Sequence, residues 1–148
     1  MDELIIRLEK LLKSGMEIIS KSSESELARK PNPGKWSKKE ILGHLVDSGI
    51  NNLQRFTEIQ FEHKPFKIKK YNQDELVKAN DYQNSQIEVI TNLWLSINNQ
   101  IKNLIKKQDE TTLSYKVELD NNDISDLRFL IGDYVDHLEH HLNQILER

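Results

Sequence analysis

The sequence has no cysteine, so no disulfide bond can form and the chain can supply no thiol to a reaction. Histidine and carboxylate side chains are therefore the strong metal ligands available to it. Proline and glycine are also scarce, with three and five residues in 148, and this scarcity favours long helices. No run of about 20 apolar residues could span a membrane, and Met1 is followed by acidic residues instead of a basic signal-peptide start. We therefore expect a cytoplasmic protein with no membrane partner.

The charge balance argues against a nucleic-acid partner. The net charge is −3 and the isoelectric point about 6.0, whereas nucleic-acid-binding surfaces are strongly basic. The one locally basic stretch, residues 63–70, also contains Pro65 and Phe66. We interpret it as a solvated loop between helices and not as a phosphate-binding patch. A length of 148 residues suits one domain with a substantial core, so we expect a single domain over residues 1–148.

Apolar residues at spacings of three and four predict four long helices. The first covers residues 2–27 and ends before the prolines and glycine of residues 31–34. The second covers residues 38–62, and Ser37 with Glu40 forms the capping box at its start. The third covers residues 74–107. The fourth begins at a cap formed by Asn122, Asp123 or Ser125 and runs to about Leu146.

The segment before the last helix, residues 108–122, has a different pattern. Leu113, Tyr115, Val117 and Leu119 alternate with polar residues, which is typical of a β-strand. An isolated strand has no evident partner, so we predict an extended loop packed on the helices. The sequence therefore indicates an all-α fold, a four-helix bundle with an extended loop before the last helix.

Three histidines are candidate metal ligands. His137 and His141 lie four residues apart, about one helical turn, so their side chains point the same way. With His44 from an earlier helix they could hold a metal and leave a coordination position open, as catalytic sites do. His140 lies about 160° from the centre of the apolar face, on the solvent side, and His63 lies in a predicted loop.

The alternative interpretation of the His137 and His141 pair is two half-buried, hydrogen-bonded histidines without a metal. An HxxxH spacing occurs by chance. The glutamate that would complete the zinc-protease motif HExxH is absent, because Leu138 follows the first histidine.

Charged residues near the histidines are candidates for supporting roles. Asp47 follows His44 by one turn and Asp133 precedes His137 by one turn, so either carboxylate could accept a hydrogen bond from a metal-bound imidazole. Arg55 could bind an anionic group of a substrate. The alternatives are solvated carboxylates for the two aspartates and a surface salt bridge for the arginine.

Two groups of residues resemble the DinB-like superfamily, most closely its YfiT-like branch of proposed metal-dependent hydrolases and thiol-dependent S-transferases. The resemblance covers nearly the whole chain, in residues 33–37, 40–42, 44–48, 51–56 and 134–145. It implies a four-helix bundle with nickel or zinc held by three histidines, at the positions of His44, His137 and His141. It also implies frequent homodimers and reactions with low-molecular-weight thiols.

We predict from these features a divalent-metal-dependent enzyme acting on a small molecule. A divalent cation lowers the pKa of water, which would give hydrolysis, or of a substrate thiol, which would give thiolate transfer. We favour thiolate transfer slightly, because the motifs contain no obvious general base. One alternative is a non-catalytic metal-binding or stress-response bundle. Another is a structural dimerisation bundle whose histidines bind nothing.

Overall fold

Four helices of 20 or 21 residues form the body of the protein. The structure is a computed structural model that describes residues 1–147. In this range seven helices run in the order α1 (Asp2–Lys21), α2 (Glu24–Ala28), α3 (Lys38–Glu58), α4 (Gln73–Ala79), α5 (Ile87–Lys106), α6 (Glu110–Leu113) and α7 (Leu127–Glu147). Three short strands are β1 (Phe66–Lys67), β2 (Lys116–Glu118) and β3 (Ile124–Asp126), and Tyr82–Asn84 forms a 3-10 turn.

The four long helices pack as the predicted four-helix bundle. α3 packs against α5 and α7, and α1 packs against the same two helices. Their apolar stripes meet in one core, because residues three or four apart share a helix face. The core includes the fully buried side chains of Leu8, Ile41, Leu45, Trp94, Ile101 and Leu138. None of the helices within residues 1–147 is both long enough and apolar enough to cross a membrane.

Two predicted helices are interrupted, and in both cases local polar groups cause the break. The predicted first helix, residues 2–27, ends at Lys21 because Ser22 is extended and Ser23 begins α2 with its own capping box. The predicted third helix, residues 74–107, consists of α4, the 3-10 turn and α5. Asp81 has left-handed backbone (φ 50°) between the first two of these elements.

The predicted second helix ends at Glu58 and not at residue 62.

The prediction of an extended loop is wrong for residues 116–118, which form the central strand of a small sheet. β2 pairs in parallel with β1 and antiparallel with β3, in the order β1-β2-β3. Val117 is opposite Phe66 in one pair and Ser125 in the other. The alternation of apolar and polar residues was a true strand signal. Its partners lie in segments that the sequence alone does not connect to it.

Glycines allow two close approaches to α3. A Cβ atom on Gly43 would lie 2.2 Å from the Tyr82 ring, and one on Gly49 would lie 2.8 Å from Ile97. The first contact brings the 3-10 turn onto α3. The second brings α5 onto it.

The substitution Gly43→Ala should destabilise the protein by roughly 1–3 kcal/mol, because the added methyl group overlaps the Tyr82 ring. The same substitution at Gly132, in α7, meets no atom within 4 Å and should stabilise by roughly 0.5–1 kcal/mol through helix propensity. Urea unfolding gives both free energies. Equal effects at the two positions would contradict the packing described for Tyr82.

Candidate metal centre

Three imidazoles from two helices meet at one point of the bundle. His44 on α3 has no solvent exposure, and His137 and His141 on α7 are half-buried. One ring nitrogen from each residue lies within 4.8 Å of the others. The Nε2 atoms of His44 and His137 are 3.1 Å apart, and all three ring pairs have centroids 4.5–5.0 Å apart. The structure thus brings together the three histidines that the sequence singled out.

The start of α3 fixes the position of His44. Ser37 accepts a hydrogen bond from the Glu40 N–H, and the Glu40 carboxylate accepts one from the Ser37 N–H, which is the predicted capping box. Trp36, just before the cap, lies against the His44 ring with centroids 5.0 Å apart. Residues 39–49 are all buried, so this part of α3 is covered on every side.

Hydrogen bonds orient the two imidazoles of α7. The Nδ1 of His141 is 2.9 Å from the Gln144 side-chain oxygen, which can only accept, so this nitrogen carries the ring hydrogen. The Nδ1 of His137 has a longer contact of 3.4 Å with the hydroxyl of Ser48. The Gln144 contact leaves the Nε2 of His141 with a free lone pair, whereas the Ser48 hydroxyl can donate or accept and so fits either tautomer of His137. Second partners of this kind are usual for metal-bound histidines.

Burial keeps the three imidazoles neutral at pH 7. Desolvation, followed by the charges of His141 and His137, lowers the pKa of His44 to about 3. Desolvation, with His141 and His140 contributing, lowers the pKa of His137 to about 4. Desolvation also lowers the pKa of His141, against the opposing effect of its hydrogen bond to Gln144. A neutral imidazole is the form that binds a metal.

The donor set fits a divalent cation. Two imidazole nitrogens bound to one zinc ion, each at about 2.0–2.1 Å, lie roughly 2.9–3.4 Å apart, and the 3.1 Å between His44 and His137 falls in this range. Two lone pairs at this distance repel each other unless a proton or a cation lies between them. Within residues 1–147 no carboxylate or fourth histidine joins the group, so coordination positions remain for water or substrate.

The predicted supporting residues lie in different places. Asp47 is buried, but its carboxylate bonds to Tyr82 and Asn80 and to none of the histidines. Asp133 is exposed, and its carboxylate has no hydrogen bond or ion pair with any residue in the 1–147 range. Neither aspartate therefore has the direct hydrogen bond to a histidine that its spacing suggested.

Arg55 lies away from the histidines. Its guanidinium donates to the carbonyl of Lys69 at 2.6 Å and lies 5.4 Å from the centre of the Tyr71 ring. It lines a cavity of about 510 Å³ together with Asn51 and Lys69. Since eleven residues separate it from His44, the distance along α3 is about 16 Å.

The remaining histidines stay outside the cluster, as the sequence predicted. His140 is exposed and contacts the Gln144 amide. His63 is exposed and lines the cavity at Arg55. The hydrogen-bonding roles of Ser48 and Gln144 were not predicted from the sequence. Their signal is the spacing, since each lies three or four residues after one of the histidines.

A second cavity, of about 230 Å³, lies against the cluster. His141 and Gln144 form one side, and Trp36 with its neighbours and the start of α4 form the other. Lys35 and Asp74 bring charged groups to it. The cavity is open to solvent, and of the three histidines His141 is the one that lines it.

Comparison with known proteins agrees with this architecture. The sequence profile of the DinB superfamily matches residues 7–145. A proposed metal-dependent hydrolase from Halalkalibacterium halodurans is 27% identical over 122 residues, which are 82% of this chain and 70% of that protein.

Two solved structures have the same fold. YfiT from Bacillus subtilis, a proposed metal-dependent hydrolase with an unusual four-helix bundle topology, superposes with a TM-score of 0.88. Its sequence identity is 22%, over 99% of this chain and 83% of YfiT. The mycothiol-dependent maleylpyruvate isomerase superposes with a TM-score of 0.77 and 11% identity, over 97% of this chain but 60% of the isomerase.

The metal-free protein should lose stability as the pH falls from about 6.5 towards 4. The unfolded chain binds protons at His44 and His137 below pH 6.5, whereas the folded protein does so near pH 3 and 4. For the buried His44 the loss at pH 5 is roughly 2 kcal/mol. Urea unfolding in the presence of a chelator, between pH 7 and 5, measures it.

His44→Gln should make this pH dependence shallower, whereas His140→Gln, at an exposed ring, should leave it as in the parent protein. The same slope in the parent and in His44→Gln would contradict a neutral, buried His44.

Proposed function

The chain belongs to the DinB superfamily, and from this premise we propose that it is a divalent-metal-dependent enzyme acting on a small molecule. His44, His137 and His141 would hold the metal, nickel or zinc, through their Nε2 atoms. One observation carries the proposal: three neutral imidazoles converge beside a cavity, and no fourth protein ligand in residues 1–147 closes the site. The homodimer and the cytoplasmic location remain expectations from the sequence.

The reaction that the site supports best is thiolate transfer, with hydrolysis as the alternative. When bound, a divalent cation supplies Lewis acidity that lowers the pKa of a thiol or of water. The groups hydrogen-bonded to the histidines are Ser48 and Gln144, and neither is a base at pH 7. A thiol has a pKa near 8.5 before any activation, so it needs less help from a protein base than water does.

The related proteins support both reactions. The curated relative and YfiT are proposed hydrolases, whereas the mycothiol-dependent isomerase uses a thiol on the same fold. With no cysteine in the chain, a thiol would have to come from a substrate or cosubstrate.

Arg55 is a candidate for binding an anionic part of the substrate. No carboxylate pairs with its guanidinium among the ion pairs of residues 1–147, and it faces the 510 Å³ cavity. Ser48 and Asn51 lie between it and His44 on the same edge of α3. A substrate that reaches both ends of this edge must be elongated, because they are about 16 Å apart.

The purified, tag-free protein should contain about one equivalent of nickel or zinc by mass spectrometry. His137→Ala should lose most of it, since one of the three donors is removed. His140→Ala is the matched control on the same helix and should retain the metal. An absence of metal in the parent protein after incubation with nickel and zinc would contradict the proposed centre.

The metal-loaded protein should consume a small thiol when given an electrophile, and chelation should abolish this activity. The assay follows thiol loss and product mass, with esters and amides as parallel substrates for hydrolysis. Hydrolysis without thiol consumption would favour the alternative reaction. A stoichiometric metal with no activity on thiols, esters or amides would support a non-catalytic metal-binding bundle instead.

A further inference from the structure

Only one of the two carboxylate oxygens of Asp47 has hydrogen-bond partners within residues 1–147. Asp47 is buried, with 3% of its surface exposed, and its Oδ1 accepts hydrogen bonds from the Tyr82 hydroxyl at 2.6 Å and the Asn80 amide at 2.9 Å. Its Oδ2 is buried and has no hydrogen-bond partner within residues 1–147. A buried acceptor without a partner destabilises the folded protein, and more so when it is charged, so a partner for Oδ2 is expected.

His44 also has a buried polar atom without a hydrogen-bond partner in the described residues. Its Nε2 faces the Nε2 of His137, but its Nδ1 is buried and has no partner in the described part of the chain. When Nε2 provides a lone pair to a metal, Nδ1 carries the ring hydrogen and needs an acceptor. The Nδ1 atoms of His137 and His141 each have a partner, so His44 is the exception within the cluster.

The helix places these two atoms on adjacent turns. Asp47 follows His44 by three residues, and helical side chains lean back over the preceding turn. The Tyr82 ring packs on Gly43, in that same turn, and its hydroxyl reaches Asp47. The carboxylate is therefore held from the side of Gly43, while its second oxygen is unoccupied one turn from the His44 ring.

We propose that Asp47 is the positioning residue of the metal centre. Its Oδ2 accepts the Nδ1 hydrogen of His44, directly or through one buried water molecule, when Nε2 binds the metal. This contact fixes the tautomer and orientation of His44 and places a negative charge near the cation. Tyr82 and Asn80 hold the carboxylate in place through Oδ1. The inference rests on the proposed function, and it assigns this role to Asp47 and not to the exposed Asp133.

The test compares zinc affinities, measured by competition with a chromogenic chelator at pH 7. Asp47→Asn should lower the affinity 10- to 100-fold, the usual effect of removing such an acceptor. Tyr82→Phe, which leaves the charge but removes one of its supports, should lower it less. Asp133→Asn is the matched control and should bind zinc as the parent protein does.

The thermal stability of each metal-free variant is measured alongside. A merely structural role for Asp47 would lower that stability while leaving the zinc affinity within about twofold of the parent value, and this result would overturn the proposal. If Asp47→Asn does not fold, Tyr82→Phe still decides: unchanged affinity in that variant counts against the support through Oδ1 and against the proposal.

Nitrogen-15 NMR of the histidine rings separates this inference from the proposed function. In the zinc-loaded parent protein, His44 should carry its hydrogen on Nδ1, and this hydrogen should exchange slowly with solvent because it is held by Asp47. Asp47→Asn should lose the slow exchange. A parent protein that binds no zinc would refute the proposed function alone. A His44 Nδ1 hydrogen that exchanges rapidly in the zinc-loaded parent, or unaltered exchange in zinc-loaded Asp47→Asn, would refute the role of Asp47.

Discussion

His44 has no solvent exposure where α3 meets α7. A buried imidazole must either stay neutral or be paired with a group of opposite charge. Neutrality leaves a lone pair on a buried nitrogen, 3.1 Å from the corresponding nitrogen of His137. The folded bundle therefore holds together groups that would otherwise be hydrated and partly protonated. A divalent cation is the partner that satisfies several such lone pairs at once, because each imidazole can donate to it.

The same helix turns serve both the core and the site. Residues 39–49 of α3 are buried throughout, with the cluster on one side and the contacts of Gly43 and Gly49 on others. The 3-10 turn, α4 and the segment before α3 cover what the four long helices leave open. A site built on two rigid helices keeps its donor atoms in place.

The fold itself does not choose the reaction. YfiT, a proposed hydrolase, and a mycothiol-dependent isomerase have the same bundle, so the reaction depends on which groups surround the site and what shape its cavities have. In this protein Ser48 and Gln144 are the residues that contact the Nδ1 atoms of the two α7 imidazoles.

The sequence by itself determined the long helices, the capping box at Ser37 and the separation of His137 and His141 from His140. Each of these follows from contacts within a few residues, where the period of 3.6 residues per turn fixes which side chains share a face. The small sheet depended on pairings between distant segments. So did the surroundings of Asp47, because Tyr82 lies 35 residues away. Only the tertiary structure could decide these features, since they arise from packing across the bundle and not from local periodicity.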